Sequence, residues 1–236
     1  MFRDGRLLHT YKDGVAKILG YLDDYAFLGV GLLDLFEATF DRGLLARATV
    51  LADIMLEEFW DDNDGAFFYT GKSHEQLISR AKPAFDASVP SGNSMAAQHL
   101  LRLYHYTSNE TYLKKAETIL RSYRDAMASQ PFGLAHMLGA LDFYMKKPKE
   151  IVIVGESDDP KTREFLDGVH STYLPNGTLQ LVGPDEPLDA IAPLLKGKSQ
   201  LDHKATAYLC HNFTCSAPVT RWDQLKELLE AKIALQ

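Results

Sequence analysis

The sequence predicts a mainly α protein with a C-terminal α/β part: a partial (α/α) toroid of helical hairpins, followed by a small parallel βαβ sheet. Two observations predict this fold class. Over 21–145, helical segments that are apolar on nearly every side alternate with segments that have one charged face. Further on, three short apolar runs alternate with helical patterns. We place the domain boundary in the KKPKE turn, giving a toroid part over 1–148 and an α/β part over 149–236.

Five helices are predicted in the first part. The segments at 21–39, 91–107 and 132–145 are apolar around most of their circumference, so we expect other helices to enclose them. The segments at 44–60 and 110–128 have an apolar stripe and a charged back, so each keeps one wet face. This alternation is typical of a layered toroid. Because five helices make only part of a ring, we expect an open apolar edge that needs a cover.

The second part is predicted to contain three parallel strands. Their sequences are EIVIVGE (150–156), TLQLVG (178–183) and TAYLCHN (206–212), and strands that alternate with helices favour right-handed parallel units. The helical patterns lie at 160–170, 187–196 and 221–236.

Composition excludes several classes of function. The net charge is -7 and no Lys/Arg cluster is present, so no nucleic-acid partner is expected. No segment approaches the ~20 apolar residues of a membrane helix, and the N-terminus lacks the apolar core of a signal peptide, so we expect no membrane contact and a cytoplasmic location. No metal or other cofactor is expected, because His99 and His105 do not share a helix face and no glycine-rich phosphate loop is present.

The stretch FDASVPSGNS (85–94) is the strongest candidate for a site. It suits the start of a helix, because Ser91 can cap the segment at 91–107 and Pro90 fits its entry. It also ends a connection of 30 residues, 61–90, and such long loops usually have a function or structure of their own. We expect a small hairpin at 66–70 and 76–81 within it, and a cavity that Asp86, Ser91 and Asn93 line; capping alone is the other interpretation.

Two further acidic residues begin the first enclosed helix. Asp23 and Asp24 suit the helix dipole, and a structural role explains at least one of them. The functional alternative is that Asp24 points inward with Tyr25, which would bind substrate, and forms a catalytic carboxylate couple with Asp86, as glycoside hydrolysis requires.

His136 and the two cysteines each have two interpretations. His136 lies in an apolar helix, where a buried core histidine is the commoner explanation and a general base for sugar epimerisation is the alternative. Cys210 and Cys215 are expected to be buried structural thiols, with a labile disulfide or redox role as the alternative.

An ordered set of motifs carries a resemblance to a known family. The motifs are YKDG (11–14), GYLDDYAFLGVGLLDLFEAT (20–39), FFYT (67–70), FDASVPSGNS (85–94) and CHNFTCSAP (210–218). Together they resemble the C-terminal part of the spermatogenesis-associated, thioredoxin-domain-containing family. The resemblance implies a thioredoxin-like domain and further hairpins ahead of this region, in an (α/α)6 toroid similar to N-acylglucosamine 2-epimerases and six-hairpin glycosidases. It assigns no catalytic residue.

Two functions follow as expectations. The first is a carbohydrate-active-like toroid, which binds a sugar and epimerises or hydrolyses it, with its polar groups at the inner-helix starts. The second is a non-catalytic interaction module whose open helical edge docks a partner, the missing N-terminal domains or a second copy.

Overall fold

The protein is described by a computed structural model that covers residues 2–3, 5–186, 193–212 and 214–231. The chain divides into two compact units. The helical unit comprises 1–104 and 109–144, and the α/β unit comprises 105–108 and 145–236. The prediction of a mainly α protein with a C-terminal α/β part is confirmed.

The helical unit begins with a three-stranded antiparallel sheet that the sequence analysis did not predict. Its strands are β1 (Phe2–Arg3), β2 (Arg6–Lys12) and β3 (Val15–Leu19), in the order β1-β2-β3. Lys12 pairs with Val15, so only Asp13 and Gly14 form the turn, and both have positive φ, 51° and 77°. An Asp-Gly pair in that conformation matches the right-handed twist of the flanking strands, and it is the sequence signal that could have identified this hairpin.

The helices of the first unit lie close to their predicted positions. They are α1 (Leu22–Thr39), α2 (Arg42–Glu58), α3 (Gly92–Thr107), α4 (Glu110–Ser122), α5 (Arg124–Ser129) and α6 (Ala135–Lys146), with a short 3-10 turn at Pro131–Leu134. Helix α1 ends at Phe40, which adopts a left-handed conformation, and Asp41 then caps α2 by accepting a hydrogen bond from Gly43 N at 2.8 Å. The predicted helix at 110–128 is interrupted at Tyr123.

Burial follows the predicted alternation only in part. Helix α3 is enclosed along almost its whole length, and α4 has one wet face, as predicted. Helix α1 keeps an open flank where Leu28 and Leu35 are 40% and 49% exposed. Helix α6 was predicted to be enclosed, which is wrong, because His136, Gly139 and Met145 are exposed. Closure of these helices into a ring stays a prediction.

The connection between α2 and α3 is ordered by polar contacts instead of a hairpin. Two isolated links replace the predicted strands at 66–70 and 76–81: a bridge between Trp60 and Phe67, and a hydrogen bond from Tyr69 N to Ala81 O of 2.8 Å. Lys82 pairs with buried Asp61. This segment therefore forms a fixed wall of the helical unit.

The α/β unit contains a four-stranded mixed sheet. Its strands are β4 (Lys149–Val154), β5 (Gly177–Val182), β6 (Thr206–His211) and β7 (Thr214–Cys215), in the order β5-β4-β6-β7, and its helices are α7 (Pro160–His170) and α8 (Trp222–Glu230). The predicted helix at 187–196 falls mostly outside the described residues, which contain only a 3-10 turn at Pro193–Leu195.

The predicted parallel direction of the third strand is wrong. Strands β4 and β5 are parallel, joined through α7, whereas β6 is antiparallel to β4 and β7 is antiparallel to β6. The apolar runs that identify these strands report burial on both faces. Whether a strand is parallel or antiparallel to its neighbour depends on the end of the sheet at which the preceding connection ends. The composition of the strand does not encode this.

Among the described residues, no helix combines the length and the apolar character required to cross a lipid bilayer.

Candidate functional site

Asp24 lies at the outside of the α1 N-terminus. Its Oδ2 accepts a hydrogen bond from Tyr21 N at 2.8 Å and lies 2.8 Å from His9 Nδ1 on β2. The carboxylate therefore caps its own helix and fixes the hairpin against it. The expectation that Asp24 points inward with Tyr25 is wrong, because the carboxylate is turned to the N-terminal sheet.

Tyr25 is a core residue. It is 2% exposed, its ring packs against Phe59, and its hydroxyl accepts a hydrogen bond from Leu7 N at 2.9 Å. Burial raises the pKa of Tyr25. These contacts hold β2 on α1, and the predicted role of Tyr25 in substrate binding has no support in its placement.

Asp23 occupies the inward position that was expected for Asp24. Its carboxylate lies against the first residue of α3, so closely that a Cβ on Gly92 would approach Asp23 Oδ1 to 2.2 Å. Burial and then the charge of Asp24 raise the pKa of Asp23, and the Gly92 amide opposes this effect. Gly92 is therefore required for close approach of a carboxylate to the positive end of α3.

Asp86 joins the starts of two helices. Its Oδ1 accepts hydrogen bonds from Ser91 N at 2.9 Å and from Ser94 Oγ at 3.1 Å, and its Oδ2 accepts one from His136 N at 2.8 Å. The Asp86 amide in turn donates to Gly133 O. Three of these bonds end on one carboxyl group and the fourth starts from the same residue, so Asp86 links the entry to α3 with the entry to α6.

Ser91 caps α3, as the capping interpretation of FDASVPSGNS predicted. Its Oγ accepts a hydrogen bond from Ser94 N at 3.1 Å and lies 2.8 Å from Ser94 Oγ. Ser91 is 6% exposed, so its hydroxyl belongs to the interior network around Asp86.

Asn93 is fully buried and binds the long connection. Its Oδ1 accepts from Phe67 N at 2.8 Å, and its Nδ2 donates to Phe67 O and to Pro83 O, each at 3.0 Å. The side chain thus replaces a strand partner for Phe67 and holds the segment 59–91 over α3. Its predicted contact with substrate has no support in this placement.

His136 is not a core histidine. Its side chain is 54% exposed, and Nδ1 lies 4.0 Å from Asp86 Oδ2. The structure therefore places His136 near Asp86, but as an exposed residue of α6 and not in the core.

A cluster of aromatic rings adjoins Asp23 and Asp24, and the sequence analysis missed it. Tyr21 and Tyr69 stack with centroids 4.8 Å apart and planes 7° apart, and the rings of His9 and His74 lie 5.1 and 5.2 Å from Tyr21. Burial, followed by the charges of Asp23 and Asp24, raises the pKa of Tyr69. We call the following residues the tyrosine–aspartate patch: His9, Tyr21, Asp23, Asp24, Tyr69 and His74.

The patch is partly open to solvent. His9 is exposed, and its five other members are of intermediate exposure. The backbone holds it in place, because Leu22 N donates to Tyr69 O at 3.1 Å. FFYT and the Tyr21 that precedes the acidic pair were visible in the sequence, but only folding of the long connection brings their rings together.

In the α/β unit, Cys210 and Cys215 form a disulfide bond. The expectation of free buried thiols is therefore wrong. Cys210 is fully buried on β6, and Cys215 is exposed on the edge strand β7. The two are register partners in the antiparallel pair of β6 and β7, which places their side chains on the same face of the sheet.

These features define a class of protein: helical hairpins that carry a patch of carboxylates and aromatic rings at their N-terminal ends, continued in one chain by a small mixed α/β unit. No profile of a known protein family matches the chain. It is similar to spermatogenesis-associated protein 20 of Homo sapiens, with 36% identity over 95% of this chain, and of Rattus norvegicus, with 35% identity over 89%. It is also similar to an uncharacterized protein of Caenorhabditis elegans, with 29% identity over 92%.

The chain belongs to the spermatogenesis-associated protein 20 family, which confirms the resemblance seen in its motifs. It spans 30% of the length of the human relative and 27% of that of the rat relative.

Proposed function

We propose that the helical unit binds a carbohydrate at the tyrosine–aspartate patch. The observation that supports this most is the placement of half-exposed Tyr21 and Tyr69 beside the carboxylates of Asp23 and Asp24. A sugar ring presents an apolar C–H face together with a rim of hydroxyl groups. Aromatic rings pack against the C–H face, and carboxylates accept hydrogen bonds from the hydroxyl groups. Small-molecule binding sites commonly combine apolar walls with a few fixed polar groups in this way.

Asp23 is the residue of the patch with the properties of a proton donor. Burial, followed by the charge of Asp24, raises the pKa of Asp23, and a general acid at a glycosidic or anomeric oxygen requires a shift in this direction. Of the two adjacent aspartates, Asp23 therefore suits the acid role better than Asp24, and it lies against Gly92, the neighbour of the Ser91 amide that Asp86 accepts from. Three protein donors already occupy Asp86, which makes it a positioning group for the start of α3.

Binding, and not turnover, is the function that this arrangement supports best. Oδ2 of Asp24 and both carboxylate oxygens of Asp86 already accept from protein groups, which favours structural roles over activation of a water molecule. Epimerisation or hydrolysis by members of this family would then depend on groups supplied by the remainder of the longer polypeptide.

A glycan array followed by calorimetry tests this proposal. We expect the chain to bind one class of sugar, Tyr69→Ala and Asp23→Asn to weaken that binding at least about tenfold, and Asp62→Asn, an exposed carboxylate in the same connection, to leave it unchanged. Absence of sugar binding by both this chain and a full-length family member, each shown to be folded by circular dichroism, would overturn the proposal.

A second function is favoured by an apolar groove in the helical unit. It encloses about 510 Å³, and Phe2, Leu28 and Val50 on its rim are 52%, 40% and 52% exposed. The residues that line it are Phe2, Leu28, Leu32, Ala46, Arg47, Val50 and Leu51. Since the family members are more than three times as long as this chain, we propose that a helical segment of the longer polypeptide covers the groove.

Sedimentation and a binding assay show whether a segment of the longer polypeptide or a second copy of the chain occupies this groove. We expect the chain to capture the remainder of a full-length family member supplied as a second polypeptide, and Val50→Glu to abolish capture, while Val89→Glu, at an exposed site outside the groove, preserves it. A concentration-dependent dimer that Val50→Glu dissolves would instead identify a second copy as the occupant. A monomer that captures nothing would contradict a docking role.

A further inference from the structure

The disulfide bond of the α/β unit is open to attack from one side. Cys215 is exposed on β7, a strand of two residues at the edge of the sheet, whereas Cys210 is 0% exposed on β6. A thiolate from solution therefore meets the sulfur of Cys215 first. Because β7 pairs through only two register positions, opening of the bond disturbs little of the sheet.

A buried carboxylate is the cross-strand neighbour of Cys210. Glu150 on β4 is the register partner of Cys210 on β6, and it is 1% exposed. Residues directly opposite each other in an antiparallel pair have Cβ atoms about 5 Å apart on the same face. The carboxylate and the buried sulfur therefore lie side by side within the sheet.

Glu150 is only half satisfied by the described residues. Its Oε1 lies 2.8 Å from His105 Nδ1, and its Oε2 is buried without a hydrogen-bond partner among them. Buried carboxylate oxygens in folded proteins are nearly always paired, because an unpaired one costs about 1–3 kcal/mol or more. A free oxygen beside a disulfide therefore points to a role in which it exchanges a proton.

A hydrogen bond of this length between an imidazole nitrogen and a carboxylate oxygen requires a proton, so the Glu150–His105 pair holds at least one. The other charged group near the pair is Lys198, which is 8% exposed; burial lowers its pKa and the charge of Glu150 opposes that effect. The ammonium of Lys198 also lies 5.5 Å from the ring centroid of Tyr208 on β6.

We propose that Cys210, Cys215, Glu150 and His105 form a thiol–disulfide exchange centre whose substrate is a dithiol. This activity belongs to the α/β unit and is independent of the sugar site proposed for the helical unit. Cys215 is the residue attacked, Cys210 is the leaving group, and the Glu150–His105 pair supplies its proton.

The chemistry balances with the dithiol as reductant. One thiolate of the dithiol attacks Cys215 Sγ, the Cys210–Cys215 bond breaks, and its electron pair passes to Cys210 Sγ. The Glu150–His105 pair, when it carries a second proton, gives that proton to the sulfur and keeps the one that its hydrogen bond requires. The second thiolate of the dithiol then attacks the dithiol sulfur that is bonded to Cys215. Cys215 leaves as a thiolate. Two electrons have moved from the dithiol, which leaves as a disulfide, to the protein.

The proton donor is needed because Cys210 lies in an apolar interior. Its neighbours on that face of the sheet include Val152 and Val154, and burial among such residues disfavours a thiolate. An ionised Glu150 beside it would disfavour the thiolate further. The exchange should therefore be fastest when the pair is protonated, once the rate is corrected for the ionised fraction of the attacking thiol.

The first test is the rate at which dithiothreitol reduces the folded chain between pH 5 and pH 9, with alkylation and mass measurement as the readout. We expect reduction without denaturant, and a thiolate-corrected rate constant that falls about tenfold or more between pH 5 and pH 9. Glu150→Gln should give a flat profile, and Glu156→Gln, an exposed carboxylate beyond the end of β4, should retain the wild-type profile. Reduction only after unfolding, or a flat wild-type profile, would overturn the proposal.

A second test remains decisive if Glu150→Gln does not fold. With Cys210→Ser, the exposed Cys215 should form a mixed disulfide with oxidised glutathione within minutes, whereas Cys215→Ser, which leaves the buried thiol, should react at least tenfold more slowly. Equal rates in the two variants would show that the thiolate does not attack Cys215 in preference to Cys210. That result would refute the proposed roles of the two cysteines.

Discussion

The imidazole of His99 on α3 lies directly against Gly29 on α1. A Cβ at position 29 would meet His99 Cε1 at 2.1 Å and Nδ1 at 2.3 Å, distances that no real contact allows. His99 is fully buried, and its ring also faces the backbone of Ala48 on α2. One glycine thus permits a large polar ring to fill the junction of three helices.

Gly29→Ala should destabilise the protein by about 1–3 kcal/mol, because the buried ring has no space into which it can move. The matched control is Gly31→Ala in the same helix, where an added Cβ meets nothing within 4 Å. That change should be neutral or stabilise by about 0.5–1 kcal/mol through helix propensity. Urea unfolding of both variants checks the prediction, and equal effects would contradict it.

His99 should also make stability depend on pH. Burial, followed by the charge of Arg102, lowers the pKa of His99 to about 3, so the folded state keeps the ring neutral. The unfolded chain binds a proton near pH 6.5 and the folded chain does not, so stability falls as the pH drops below about 6.5. The loss from this residue between pH 7 and pH 5 is about 2 kcal/mol. In His99→Leu, this loss of unfolding free energy between pH 7 and pH 5, measured by urea unfolding, should disappear. If the unfolding free energy of His99→Leu depended on pH as in the wild type, the prediction would be contradicted.

The positions of the helices were predictable from sequence because each has a continuous apolar pattern with a period of 3.6 residues. The choice between Asp23 and Asp24 was not predictable. Consecutive residues differ by about 100° around a helix, and the rotation of α1 about its axis is set by what packs on it, including a hairpin that the pattern did not reveal. The sequence therefore identified the acidic start of α1 but assigned the inward position to Asp24, whereas Asp23 occupies it.

One other error has the same origin in missing neighbours. His136 was expected in the interior because the predicted helix at 132–145 contains few charges, yet Phe132 and Met145 are 99% and 70% exposed. An apolar sequence shows that a face can be covered, not that it is covered within this chain. The Cys210–Cys215 bond, by contrast, follows once a two-residue turn is placed after β6, since that turn fixes the register.

Asp23 and Asp24 should have opposite effects on stability although they are adjacent. The raised pKa of Asp23 means that the folded state disfavours its charge, so any stability it contributes is present at low pH and is lost as the pH rises through the folded pKa. Asp23→Asn should therefore stabilise the protein at pH 7, as expected where a charge is kept for function. Asp24→Asn should destabilise it by about 0.5 kcal/mol through weaker capping and loss of the His9 pair. Thermal unfolding at pH 7 gives both signs, and two changes of the same sign would contradict the assignment.

Asn93→Ala should loosen the wall of the proposed sugar site. The change removes three hydrogen bonds and leaves the buried Phe67 N–H without its acceptor, which costs about 1–3 kcal/mol for that group alone. Asn109→Ala is the control, because Asn109 caps the exposed start of α4, through Thr111 N, and loss of that cap costs about 1 kcal/mol. Hydrogen exchange of residues 59–91 should accelerate in Asn93→Ala beyond what the change in global stability explains, and should not do so in Asn109→Ala. If exchange in that segment rose equally in both variants, Asn93 would be an ordinary core residue and the segment would be held by its other contacts, such as the pair between Lys82 and Asp61.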